Sequence, residues 1–355
     1  MKIYAQKTTA ILFLLFFIFA LCYQSVAQDS IKNRQSVIYT FIVNKISGNT
    51  NIPLVGFVNI SKDNHKGCQI GFTNFNKGNF SGAQIGFINT VGKKTKGAQV
   101  GFLNTSGDDV SGSQTSFINI ANGTVKGVQT GFINIANDSV NGSQLSFINI
   151  AAKNTHGAQI GFVNNTEKLR GLQLSFINTS NIMNGFQLGF INYTDSIEKG
   201  IPLGFVSIVK NGGYRALEVS TNNLFPINLA CKLGVKKLYT NIILSYVPGN
   251  DAYFSVGLGL GTIVPISCDF FFNPEVNSQS SLENNSIQAL SMNLNAGYQI
   301  TPRWHLLAGP SFSWEYKTYL RDFHNPAYYI WLHEINEKNR LILGLNVSLR
   351  YQFSK

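Results

Sequence analysis

The sequence predicts an all-β protein in two parts. About eleven 15-residue repeats come first, followed by an eight-stranded antiparallel barrel of the outer-membrane type. Three observations carry this reading. A Phe recurs from Phe57 to Phe205 at a step of 15, apart from two steps of 14 after Phe162. The last third of the chain alternates apolar and polar residues with period two. Aromatic usage also changes near residue 212: all three Trp and ten of the fourteen Tyr follow it.

Residues 1–27 have the pattern of a secretory signal peptide. Lys2 and Lys7 precede an apolar run, 11–21, and Ser25-Val26-Ala27 supplies the small residues expected before a cut at Gln28. A short leader strand or cap, 28–50, comes next, then the repeat array over 51–211 and the barrel over 212–355.

The clearest repeats read Gly-x-Gln-x-Gly-Phe-Ile-Asn. Gln69, Gln84, Gln99, Gln114, Gln129, Gln144, Gln159, Gln173 and Gln187 each sit three residues before a Phe, such as Phe87 or Phe102. Asn59 to Asn192 supply an Asn two residues after a Phe, as at Asn89 and Asn104. A unit this short cannot bury its own apolar face and must stack on its neighbours. In a β-solenoid, equivalent residues stack directly, giving a Phe column, a Gln ladder and an Asn ladder. The alternative is an antiparallel meander, or an extended barrel in which each repeat is one long strand. Identity at matched positions favours the solenoid. Leu54 and Pro202-Leu203 replace the Gln-containing segment in the end units, which read as caps.

In the barrel part the last strand is clearest. Leu341, Leu343, Leu345, Val347, Leu349, Tyr351 and Phe353 oppose Ile342, Gly344, Asn346, Ser348, Arg350 and Gln352. Strands of about 9–11 residues suffice to cross a bilayer at a tilt. Tight turns are expected near 236–237, 265–267 and 301–303, and long loops over 278–286 and 318–340, in the alternation of a transmembrane barrel.

Units such as Gly82-Ala83-Gln84-Ile85-Gly86-Phe87-Ile88-Asn89 resemble the surface-repeat proteins of Gram-negative bacteria. The resemblance covers roughly half the chain. It implies a cell-envelope location and no assigned chemistry. The terminal Leu349-Arg350-Tyr351-Gln352-Phe353 looks like the strand by which outer-membrane barrels are recognised for insertion.

The formal charge of +11 is scattered, with no basic stripe, so nucleic acid is not expected as a partner. Charged residues are only 13% of the chain. No nucleophile triad, phosphate loop or metal-binding spacing is present, so no catalytic residue, cofactor or metal is assigned. The three Cys of the expected mature chain do not suggest a disulfide framework. Tyr328, Tyr329 and Trp331 in the loop 318–340 are candidate ligand contacts. The expected role is a non-catalytic envelope protein, its barrel in outer-membrane lipid and its repeats structural, adhesive or binding, with envelope glycan or protein as partner. The alternative is a pore or transporter in which the repeats form part of the barrel wall.

Overall fold

The computed structural model describes residues 37–249, 252–282, 287–317 and 328–353. The signal-peptide expectation lies outside these residues. All regular structure among them is β. The chain separates into two compact units, Met1–Ser175 and Phe176–Lys355.

The first unit is a parallel β-solenoid. Each coil contributes one strand to each of two parallel sheets, for example Val110–Thr115 to one and Ile118–Ala121 to the other. Strand residues pair with those one repeat on, 15 positions away in most coils: Gln114 with Gln129, Asn119 with Asn134. Parallel pairing of like with like rules out the meander. The arrangement begins earlier than the Phe repeat indicates. Val43–Ile46 pairs in parallel with Val58–Ser61, and Val37–Ile38 folds back antiparallel over that edge. An unpaired sheet edge is a template for aggregation, and this hairpin covers it.

Alternation decides what points inward. In Val110–Thr115 the buried residues are Val110 and Gln114; in Ile118–Ala121 they are Asn119 and Ala121. The apolar core is therefore narrow, a column of Val and a column of Ala (Val110, Val125, Val140 and Ala121, Ala136, Ala151). The first Gly of the motif has positive φ in coil after coil, from Gly67 (124°) to Gly171 (154°). A Cβ on Gly112 would collide with the carbonyl oxygen of Gly97 in the preceding coil. Glycine is thus required twice over, for its backbone angle and for the close approach of coils.

Cys68 is buried in its coil, where other coils carry Ala, Ser or Val. Cys231 and Cys268 are free.

The second unit contains the last coils and the barrel. Eight antiparallel strands form the wall: Tyr214–Thr221, Ile227–Val235, Leu238–Val247, Tyr253–Gly261, Phe270–Ser281, Ile287–Gln299, Trp304–Lys317 and Asn339–Gln352. The first pairs with the last, Ala216 with Gln352 through Thr221 with Val347, so the wall closes on itself. Among the described residues no repeat strand pairs into it, which overturns the alternative in which the repeats form part of the barrel.

Two connections differ from the sequence expectation. The fifth strand runs on to Ser281, so residues 278–281 of the loop expected over 278–286 are strand. Within 318–340, Trp331–Asn336 is a strand pairing with the upper part of the last strand. The reason is geometric. The first strand stops at Thr221, leaving Leu341–Leu343 without a neighbour on that side, and Trp331–His333 takes the place.

Candidate functional site

The repeat residues singled out in the sequence come together as two amide ladders inside the solenoid. Gln84 Nε2 donates to Gln69 Oε1 at 2.6 Å, and the pattern repeats through Gln99, Gln114, Gln129, Gln144, Gln159 and Gln173 at 2.7–2.8 Å. Asn59 Nδ2 donates to Asn74 Oδ1 at 2.8 Å, and Asn74, Asn89 and Asn104 each donate to the next Asn. The two ladders run in opposite senses. Gln donates toward the chain start and Asn toward the chain end, so their amide dipoles oppose one another. Each Asn also donates to a carbonyl of the next coil, as Asn89 does to Val100 O at 2.9 Å. A buried amide is tolerated only when its hydrogen bonds are made, and the repeat supplies the partner one coil away.

The ladder ends show the cost of breaking the repeat. Leu54 stands opposite Gln69, and Gln69 Nε2 has no acceptor in the structure. Asn44 extends the Asn ladder one coil earlier, donating to Asn59 Oδ1 at 2.7 Å. Sequence reading missed Asn44 because no Phe stands two residues before it; residue 42 is Ile. At the far end Asn192 donates to Ser207 Oγ at 3.1 Å. Where Ser replaces the second Gly of the motif, its hydroxyl is used: Ser116 Oγ donates to Asn119 Oδ1 at 2.7 Å.

The Phe residues are not core. Phe87 and Phe102 are 45% and 43% exposed. From Phe57 to Phe162 they stack in one column with centroids 4.7–5.1 Å apart and planes within 8° of parallel. Within the second unit Phe176, Phe190 and Phe205 stack on one another in the same way.

The barrel inverts the chemistry of a soluble core. Outward residues are large and apolar, among them Leu217, Leu244, Val256, Leu290, Phe312, Trp314 and Leu349. Inward residues are polar, and near one end they form a charge cluster. Arg350 is 1% exposed; its Nε donates to Glu218 Oε2 at 2.6 Å, Nη1 to Tyr214 Oη at 3.0 Å and Nη2 to Asn273 Oδ1 at 2.5 Å. Lys232 Nζ donates to Glu275 Oε1 at 2.6 Å and lies 3.2 Å from Glu218. Tyr239 Oη also donates to Glu275, at 2.5 Å. Two cations thus face two carboxylates, and the polar side chains around them complete the set. A second pair, Arg340 and Glu315, lies further along, with Arg340 Nε donating at 2.5 Å.

The segment joining the first two strands folds into the lumen. Leu224 and Phe225 are buried with Val247, Ala289 and Ile342, and Asn223 lies against Gly344.

Tyr328, Tyr329 and Trp331 have different surroundings. Tyr328 Oη donates to Leu345 O at 3.3 Å, and Tyr329 is exposed. Trp331 lies over the outer wall, lining an apolar crevice of about 390 Å³ with Phe312, Trp314, Leu341 and Leu343. Among the described residues no three His, Cys, Asp or Glu cluster as metal ligands do.

No protein-family model matches the chain, and no curated protein does. Among solved structures, a crystal structure of Neisserial surface protein A matches at 12% identity over 40% of this chain and 94% of that one, with a TM-score of 0.23. At that score the likeness decides nothing about fold or function, and the architecture stands on this chain's own pairing and burial.

Proposed function

We propose that this chain is an outer-membrane protein of a Gram-negative envelope, in which the barrel is the lipid anchor and the solenoid a non-catalytic module with a structural, adhesive or binding role. The observation that carries the reading is the barrel's inverted chemistry: a closed wall with Leu, Val, Phe and Trp outside and a paired charge cluster inside. A closed barrel leaves no unpaired backbone edge, the condition for a β structure to cross a bilayer. In water the same outer face would be an apolar patch far larger than a soluble monomer tolerates.

The lumen favours an anchor over a pore. Eight strands enclose an interior that side chains fill, and here Arg350, Tyr214, Tyr239 and Phe225 occupy it. Envelope glycan or protein are the partners this reading offers the solenoid. Fractionation of the expressing cells tests the assignment. The protein should sediment with the outer membrane and resist alkaline extraction, and release into the soluble periplasmic fraction would refute it. Purified protein in planar bilayers should give no single-channel steps; steady conductance would refute a filled lumen.

A further inference from the structure

The first unit carries an apolar edge whose chemistry is more specific than a general stickiness. The Phe rings from Phe57 to Phe162 are 41–56% exposed. Beside them on one sheet face lie Val100, Val128, Leu145 and Ile160, exposed by 37–44%. The rings stack on one another, so their faces are occupied and their rims point outward. Sugar recognition by aromatics uses ring faces, which this column does not present. Ring rims and branched aliphatic side chains instead fit hydrocarbon.

The same sheet face carries a second column. Lys66, Lys96, Lys126 and Arg170 are exposed at the second position of their coils, and no Asp or Glu occupies that position from His65 to Ser175. Lys96 precedes Val100 by four residues on one strand, about 13 Å at the rise of an extended chain. Amphipathic elements on membranes sink their apolar face roughly 5–10 Å into the boundary between headgroups and acyl chains. A Phe edge at that depth sets the basic column at the level of the phosphates. The opposite corner of the coil, such as Gly92-Lys93-Lys94, is exposed and polar.

We infer that this edge of the solenoid docks on a bilayer surface containing anionic phospholipid, with the Phe column in the acyl boundary and the basic column on the headgroups. This adds a membrane contact to the barrel anchor and rests on that reading only in that the barrel supplies the bilayer.

The test uses the full chain in vesicles, with Cys231→Ser and Cys268→Ser and an environment-sensitive dye at either Thr115→Cys, on the apolar face, or Asn122→Cys, at the polar corner. In phosphatidylglycerol-containing vesicles with spin-labelled lipid, the dye at position 115 should be blue-shifted and lose about half its emission, while that at 122 keeps nearly all of it. The triple variant Lys66→Glu, Lys96→Glu, Lys126→Glu, or purely zwitterionic vesicles, should abolish most of that loss. Equal, water-like emission at both sites overturns the inference. So does a blue shift at 115 without quenching by lipid, which would point to a second copy of the chain as the occupant. Quenching that ignores both the triple variant and the lipid charge overturns the role of the basic column. Trp304 and Trp314 on the barrel wall, quenched by the same lipid, report the anchor separately.

Discussion

The solenoid and the barrel both hide polar side chains and show apolar ones, yet they satisfy the hidden groups in opposite ways. In the solenoid each buried amide finds its own copy one coil along, as Gln114 finds Gln99 at 2.7 Å. In the barrel each buried charge has partners of its own from distant points in the chain. Arg350 reaches Glu218 across 132 residues and Asn273 across 77. Repetition makes the first network tolerant, because a lost rung leaves the others intact. The second is a single unit, and removing one member leaves a charge in a site built to neutralise it.

The contrast makes the barrel the place where one substitution costs most. Arg350→Met should destabilise by about 3–5 kcal/mol, the usual penalty for stranding a buried charge. Thermal unfolding in detergent, read by the gel mobility shift of folded barrels, would measure it. Replacing Glu218 with Gln in the same chain should recover part of the loss; no recovery would argue against a closed charge network.

The largest effect in the solenoid should come from its backbone. Gly112→Val places a branched side chain at a φ of 136° and against the Gly97 carbonyl. Strain at such angles costs roughly 1–3 kcal/mol, and the collision adds to it. Limited proteolysis should then cut within the coils around Gly112 and spare the barrel. Gln114→Leu should cost less, about 1–2 kcal/mol, since it leaves one donor or acceptor unpaired in each neighbouring coil. Hydrogen exchange should rise in the adjacent coils only. A rise along the whole array would mean that the ladder acts as one cooperative unit, like the barrel cluster.

The smallest effect at neutral pH concerns His65, which is buried against Phe80 with neither ring nitrogen bonded. Burial lowers its pKa from 6.5 to about 4. The unfolded chain therefore takes up the proton first. The stability that neutral His65 permits is complete above about pH 6.5 and is lost as pH falls toward about 4. One pH unit below 6.5 the loss is about 1 kcal/mol. His65→Val, which copies Val110 and Val125, should remove this slope from acid-induced opening of the first coils. An unchanged slope would place the titration elsewhere.

How much was legible in the sequence divides along the same line. The ladders, the Phe column and the glycine positions could be read directly, because a period of 15 turns each coil into a copy of its neighbour. The outward exposure of Phe could not: Phe87 and Val110 look equally suited to a core, and only the folded coil shows that Val110 points in and Phe87 out. The barrel's inside and outside were legible from alternation, down to Arg350 facing inward. The cluster was not, because closure of the wall sets which inward charges meet. Leu224 and Phe225 in the lumen were hidden for a related reason, since only closure of the wall brings them against Val247, Ala289 and Ile342.

The central claim is that the outer wall of the barrel is solvated by lipid. The most direct measurement follows the purified mature chain as detergent is withdrawn. The account predicts that it precipitates in plain buffer and stays folded and monodisperse only when lipid or detergent covers Leu217, Leu244, Phe312 and Leu349. A chain that stayed dissolved and monomeric without either would contradict it.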